Sequence, residues 1–254
     1  MNKTKSLWST PTCLLALGLL ALGGQVAAAP VAPGGLYVGY YQEDPRTNPE
    51  DPMPGAFLLK LPEQDAAFDG AMYFTFVGCQ TSNVGKVKGA KAGVDLKGSW
   101  SGRIDGSDQS GPYEGKYDAA KGYYAGTYAN SGGKQFKNIP GCIKYYIGPN
   151  GSWEMFPVEQ NQPASFKVAV NGATMTWPAV ANAAMTLVYV IDPAVAQAGT
   201  GNPIVYQTIL MRPATSFSLE VAALNKGKQY IAVALINSRS AARLAISSKR
   251  FVAQ

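Results

Sequence analysis

Between residues 98 and 129 a short pattern recurs three times: Trp100-Ser-Gly-Arg-Ile104, Tyr113-Glu-Gly-Lys-Tyr117 and Tyr124-Ala-Gly-Thr-Tyr128, with starts 13 and then 11 residues apart. Each copy places large side chains at i and i+4 with glycine at i+2. In an extended chain these three positions share one face, so two bulky groups flank a gap. Turn-forming runs separate the copies, Asp105 to Gly111 and Asp118 to Gly122. Strands joined by such loops form an antiparallel meander, and glycine on facing strands lets a ring lie across the backbone or lets the sheet bend.

The segments on either side extend the pattern. Leu36–Tyr41, Ala56–Leu61, Ala71–Val77, Cys142–Ile147 and Ser152–Phe156 read as strands, with Pro-Asn-Gly turning the chain between the last two. Residues 84–98, VGKVKGAKAGVDLKG, read as a glycine-rich basic hairpin; no helix follows, as a phosphate-cradling loop would require. The loop QEDPRTNPEDPMPG has the proline density of irregular surface chain. Its carboxylates Glu43, Asp44, Glu50 and Asp51 are oxygen ligands of the kind calcium takes, but their spacing matches no EF-hand, and a plain acidic loop with no metal is expected. The first half is thus expected to be an antiparallel β-meander or small barrel of seven to nine strands.

Residues 1–28 carry Lys3 and Lys5, an apolar stretch from Cys13 to Leu22 and the small residues Val26-Ala-Ala. They read as a secretory signal peptide, since the apolar run falls short of the ~18 residues that a membrane span needs. No later stretch is apolar enough to be a transmembrane anchor. The expected location is outside the cytoplasm, periplasmic or secreted, in a bacterial protein. After removal of the leader only Cys79 and Cys142 remain, and in an exported chain two cysteines are expected to pair. A bridge between them would be worth roughly 4 kcal/mol in the chain-entropy model.

The aromatic-x-Gly-x-Tyr element is similar to the core of a MORN repeat. Its period is shorter than that family's unit and the downstream His-Gly is missing, so it is read as hairpin chemistry. The second half resembles a fibronectin type III domain. Phe166-Lys-Val168 fits its first strand, Ala173-Thr-Met-Thr-Trp177 its second with a core tryptophan, and Met185–Val190 its third. Ile204–Leu210, Thr215–Leu219, Ile231–Ile236 and Leu244–Val252 fit the remainder. Leu224 to Tyr230, LNKGKQY, resembles the family's Leu-x-Pro-Gly-x-x-Tyr corner with Lys226 in place of proline. The resemblance implies a seven-strand β-sandwich acting as spacer or docking module. The organisation read from the sequence is all-β, with a leader at 1–28, a disulfide-closed β domain at 30–159 and a fibronectin type III-like sandwich at 160–254.

The chain contains no histidine. Histidine-dependent triads, His-ligated zinc and imidazole acid–base catalysis are therefore excluded. Carboxylate chemistry of the glycosidase kind remains. Glu114 is its best single candidate among Asp105, Asp108, Glu114 and Asp118, although its alternation with the tyrosines turns it toward solvent. Trp100, Tyr113, Tyr117, Tyr124 and Tyr128 are the ligand-binding candidates, because flat rings stack on sugars or peptides; the competing reading makes them the core of the domain. The formal charge of +6 is uneven, with residues 160–254 basic and residues 30–159 slightly acidic. The basic residues of the second half fall in loops at opposite ends and on both faces of a strand, which argues against a nucleic-acid groove. The expected function is a non-catalytic binding protein of the cell envelope or extracellular space, without cofactor, whose ligand is a glycan or a protein. The alternatives are a carboxylate-dependent hydrolase or its accessory module, and an inhibitor of a secreted enzyme.

Overall fold

A computed structural model describes residues 32–44, 54–76, 83–104, 107–131, 135–137, 145–159, 165–210, 212–240 and 242–254. The leader and both cysteines of the expected disulfide lie outside the described residues. The chain is all-β, and its first part is a closed eight-strand antiparallel barrel. The barrel strands are β1 (Gly35–Glu43), β2 (Pro54–Leu61), β3 (Ala66–Phe76), β4 (Asn83–Ala92), β5 (Asp95–Ile104), β6 (Ser107–Asp118), β7 (Tyr123–Ala129) and β10 (Asn150–Pro157). A small hairpin, β8 (Gln135–Lys137) and β9 (Tyr145–Ile147), is inserted before β10. Neighbours along the chain pair in turn from β2 to β7. The barrel closes because β1 pairs with β2 on one side, Tyr37 opposite Leu59, and with β10 on the other, Tyr37 opposite Pro157.

The three repeats are strands β5, β6 and β7. Their glycines form cross-strand pairs that seat rings from other strands. Gly115 faces Gly126, and the Trp153 indole lies over both, so that a Cβ on Gly115 would come within 2.5 Å of the ring. Gly102 faces Gly85 beneath Phe74. The β5–β6 connection is tighter than the sequence suggests. Ser107 to Gly111 continue the strand, with Gln109 buried opposite Gly102, because ladder pairing down to Ile104 and Ser107 outweighs the turn propensity of these residues.

One pole of the barrel is sealed by side chains. Ala32 is wholly buried and its N–H donates to the Gly93 carbonyl (3.3 Å), while the Tyr37 hydroxyl donates to the Pro33 carbonyl (2.6 Å). The buried Lys91 ammonium donates to the carbonyls of Pro62 (3.3 Å) and Glu63 (3.2 Å). The exposed outer wall of β4–β6 carries Lys86, Lys88, Lys97, Glu114 and Lys116, and the interior is mostly apolar, with Lys91, Gln109, Glu43 and Asn130 buried toward its two ends. That is the reverse of a membrane-spanning barrel, whose apolar band faces outward. Among the described residues no helix is long and apolar enough to cross a membrane.

The second part holds two antiparallel sheets. One is three-stranded, β11-β12-β15, from β11 (Ala169–Asn171), β12 (Thr174–Thr176) and β15 (Ser216–Ser218). The other is four-stranded, β14-β13-β16-β17, from β13 (Met185–Ile191), β14 (Ile204–Leu210), β16 (Gln229–Asn237) and β17 (Arg243–Val252). They share one core, in which Val168, Met175 and Trp177 meet Val188, Val190, Ala232 and Ala234. Phe166 and Val168 are buried but precede the first strand of this part, because the Val168 N–H donates to the Ser247 hydroxyl (3.1 Å) and not into a ladder. The Tyr230 hydroxyl accepts from the Asn225 N–H (3.1 Å), closing the corner before β16. Residues 196–203, AQAGTGNP, contain the end of a short helix, α1 (Pro193–Ala198), capped by the Asp192 carboxylate and stopped at left-handed Gly199.

The four-stranded sheet is covered on its other face by the barrel. Val38, Tyr40, Ala56, Leu58 and Phe156 on the outside of β1, β2 and β10 pack against Leu187, Tyr189, Ile191, Ile231, Val233 and Leu235. Every residue of β13 is buried as a result. Polar contacts ring this interface: Lys60 Nζ donates to the Gln197 carbonyl (2.8 Å), Gln42 Nε2 to the Ser240 carbonyl (3.0 Å), and the Tyr73 hydroxyl to the Gly201 carbonyl.

Candidate binding cavity

The ring candidates all sit on the inner wall of the barrel, where the odd-numbered register of β6 and the even-numbered register of β5 and β7 point inward. They do not form one constellation. Tyr124, fully buried, stacks edge-on with Tyr117 (5.1 Å between centroids) and Tyr37 (5.7 Å), and these rings belong to the packing at the sealed pole. Trp100, Tyr113 and Tyr128 lie nearer the other pole and line a cavity of about 100 Å³. Val87 and Leu96 lie beside Trp100 on β4 and β5, and Phe57, Leu59, Met72, Phe74, Tyr41, Trp153 and Met155 line the rest. Glu43 and Asn130 mark the end of the cavity away from the sealed pole.

Three polar groups of the wall are turned into the backbone. Trp100 Nε1 donates to the Ala129 carbonyl (3.1 Å), Trp153 Nε1 to the Thr127 carbonyl (3.0 Å) and the Tyr113 hydroxyl to the Lys88 carbonyl (3.3 Å). Glu43 Oε1 accepts from the Gly148 N–H (2.7 Å). Away from the Glu43 and Asn130 end, what faces the cavity is therefore mainly carbon and π-surface.

Glu114 is exposed on the outer wall of β6, across from Lys97 on one side and Thr127 on the other. Of the acidic loop residues, Glu43 is folded into the barrel end with its side chain buried, while Glu50 and Asp51 lie outside the described residues. Among the described residues no group of three or more acidic, cysteine or histidine side chains is placed to hold a metal. The sequence reading missed Trp153, Phe57, Leu59, Phe74 and Met155 as cavity residues. The alternation Gly151, Trp153, Met155 along β10 carries the signal, since each is buried and the residues between are less so.

A second, wider cleft of about 540 Å³ lies where the barrel meets the sheets, bordered by Lys121, Tyr123, Phe156, Phe166, Val180 and Arg243. Its guanidinium is committed. Arg243 lies over the rings of Tyr123 (4.9 Å) and Phe156 (4.6 Å), and its Nε donates to Glu154 Oε2 (2.8 Å).

Burial raises the tyrosine hydroxyls. Desolvation, with the Glu154 carboxylate next, pushes Tyr40 up to about 12. Desolvation also leads the upward shifts of Tyr37, Tyr113, Tyr124, Tyr128 and Tyr189. A hydroxyl whose folded value is raised binds its proton more tightly in the native state, so its contribution is intact below ~10 and is lost as the pH climbs through the raised value. The protein is expected to keep full stability to about pH 10. Above that, loss of near-ultraviolet circular dichroism and phenolate absorbance at 295 nm should appear together. Phenolate from all tyrosines while the fold persists would contradict the buried placement.

Scanned against protein-family models and against curated proteins, the chain matches none.

Proposed function

We propose that this is an exported, non-catalytic binding protein of the cell envelope or extracellular space, with the barrel as its binding unit. The observation that supports it most is the ring-walled cavity, whose indole N–H groups and Tyr113 hydroxyl are spent on the wall itself, so that apart from the Glu43 and Asn130 end it offers shape and apolar surface. Eight strands make a barrel just wide enough to be filled or to hold one small ligand, and here a space remains. Of the ligand classes expected from the sequence, a glycan finds no ring platform on the exposed outer wall of β5 and β6, where lysine, serine and glutamate project. A protein partner would meet the outer surfaces of either part. We read the second part as a fibronectin type III-like docking module, supported by the β11-β12-β15 and β14-β13-β16-β17 sheet orders and the Tyr230 corner. The barrel covers one face of it, which makes it a fixed buttress.

Two measurements test this reading. Native mass spectrometry of the full chain isolated from the envelope or the medium is expected to show a stoichiometric small ligand or a partner chain. Assays over glycoside, ester and peptide substrates are expected to show no turnover above blank. Hydrolysis abolished by Glu114→Gln would replace the binding reading with the carboxylate hydrolase.

A further inference from the structure

We propose that the barrel cavity takes a small uncharged apolar molecule, one ring or a short alkyl chain of about six to eight non-hydrogen atoms. The inference rests on the reading of the barrel as a binding unit and names the chemistry of its ligand.

Size comes first. Pockets for drug-sized ligands run to about 300–1,000 Å³. An engineered apolar cavity of about 150 Å³ holds a benzene molecule and stays dry without it. The space here, about 100 Å³, is on the smaller scale. One hexose is already too bulky for it.

Wall chemistry decides the class. A sugar carries several hydroxyls, and each one buried without a partner costs ~1–3 kcal/mol. The groups that could serve them are engaged elsewhere: the indole N–H groups of Trp100 and Trp153 on strand carbonyls, and the Tyr113 hydroxyl on Lys88. The surfaces left are the faces and edges of Phe57, Phe74, Trp100, Tyr128 and Trp153 with the thioethers of Met72 and Met155. Rings accept other rings edge-on, and methionine sulfur adapts to an aromatic edge. The charged and amide side chains of the lining, Glu43 and Asn130, stand at one end. At the sealed pole the Tyr124 hydroxyl is buried without a hydrogen-bond partner among the described residues but Tyr124 does not line the cavity, and Lys91 is held by the Pro62 and Glu63 carbonyls.

Toluene, naphthalene and glucose titrated into the full chain test this, with tryptophan fluorescence and the shifts of ¹³C-labelled methionine methyls as readouts. Toluene is expected to saturate, to shift the Met72 and Met155 methyls by its ring current, and to raise the melting temperature. Naphthalene and glucose should do neither. Val87→Phe and Met72→Phe each place a ring inside the space and should weaken toluene at least tenfold. Met72 is only half buried, so its variant carries the test if Val87→Phe does not fold. Toluene binding that both variants leave unchanged, or that spares the two methyls, would overturn the site. Glucose binding without toluene binding would overturn the ligand class while leaving the binding reading standing. Silence from all three probes would overturn this inference, and the isolated chain's mass spectrum would then decide the broader reading separately.

Discussion

Gly126→Val is expected to cost the barrel about 3 kcal/mol or more, a large part of the ~5–15 kcal/mol that holds a domain folded. Gly126 faces Gly115 on β6 and Trp153 on β10. A Cβ there would stand 2.0 Å from the Glu114 carbonyl oxygen and 2.6 Å from Trp153 Cζ2. The first obstacle is backbone in a ladder and cannot retreat without breaking pairs. The second is an indole tied to the Thr127 carbonyl and set edge-on to Tyr113 at 6.3 Å. Overpacking alone costs ~1–3 kcal/mol, and displacing the indole approaches the ~3–5 kcal/mol of deleting a core aromatic. Urea unfolding measures the loss. Thr127→Ser, on the exposed side of the same strand, is the control and should stay within about 0.5 kcal/mol. A Gly126→Val protein whose midpoint matches the control would show that the ring does not rest on this glycine.

Arg243→Ala should destabilise the junction between barrel and sheets by about 2 kcal/mol. The guanidinium pairs with Glu154 while lying over Tyr123 and Phe156. Its backbone N–H donates to the Tyr40 hydroxyl at 3.3 Å. A fully buried pair broken on one side costs ~3–5 kcal/mol and an exposed one ~0–1. With side chains 23% and 25% exposed, this pair falls between. The cation–π contacts add ~0.5–2 kcal/mol. A double-mutant cycle with Glu154→Gln should return a coupling of about 1 kcal/mol or more. A coupling near zero would assign the loss to packing on the two rings alone.

The meander was legible because its signals are local. Glycine two residues from each aromatic, and turn residues between copies, announce β5, β6 and β7 without reference to the rest of the chain. Glu114 was placed on the solvent side by alternation alone, and the structure has it there. Closure was legible only as an alternative: a small barrel was expected beside an open meander, and the choice between them, the pairing of Tyr37 with both Leu59 and Pro157, depends on curvature summed over the whole sheet. The cavity was not legible: its volume is the difference between what eight strands enclose and what their side chains fill, and no single segment holds that number. The covered face of the four-stranded sheet did leave a trace. Met185–Ile191 is apolar or buried at every position, and a strand that does not alternate has both faces covered.

The pairing of β1 with β10 has a consequence for how the molecule is made. The first strand of the barrel completes it only with the last, so β1 and β7 each have an unsatisfied edge until β10 is available to pair with both. Contacts between parts so distant in sequence slow the search for the native state, and open edges invite pairing with other chains in the meantime. The vulnerable interval of this protein is therefore set by the arrival of Asn150–Pro157, and a chain truncated before that strand is expected to aggregate.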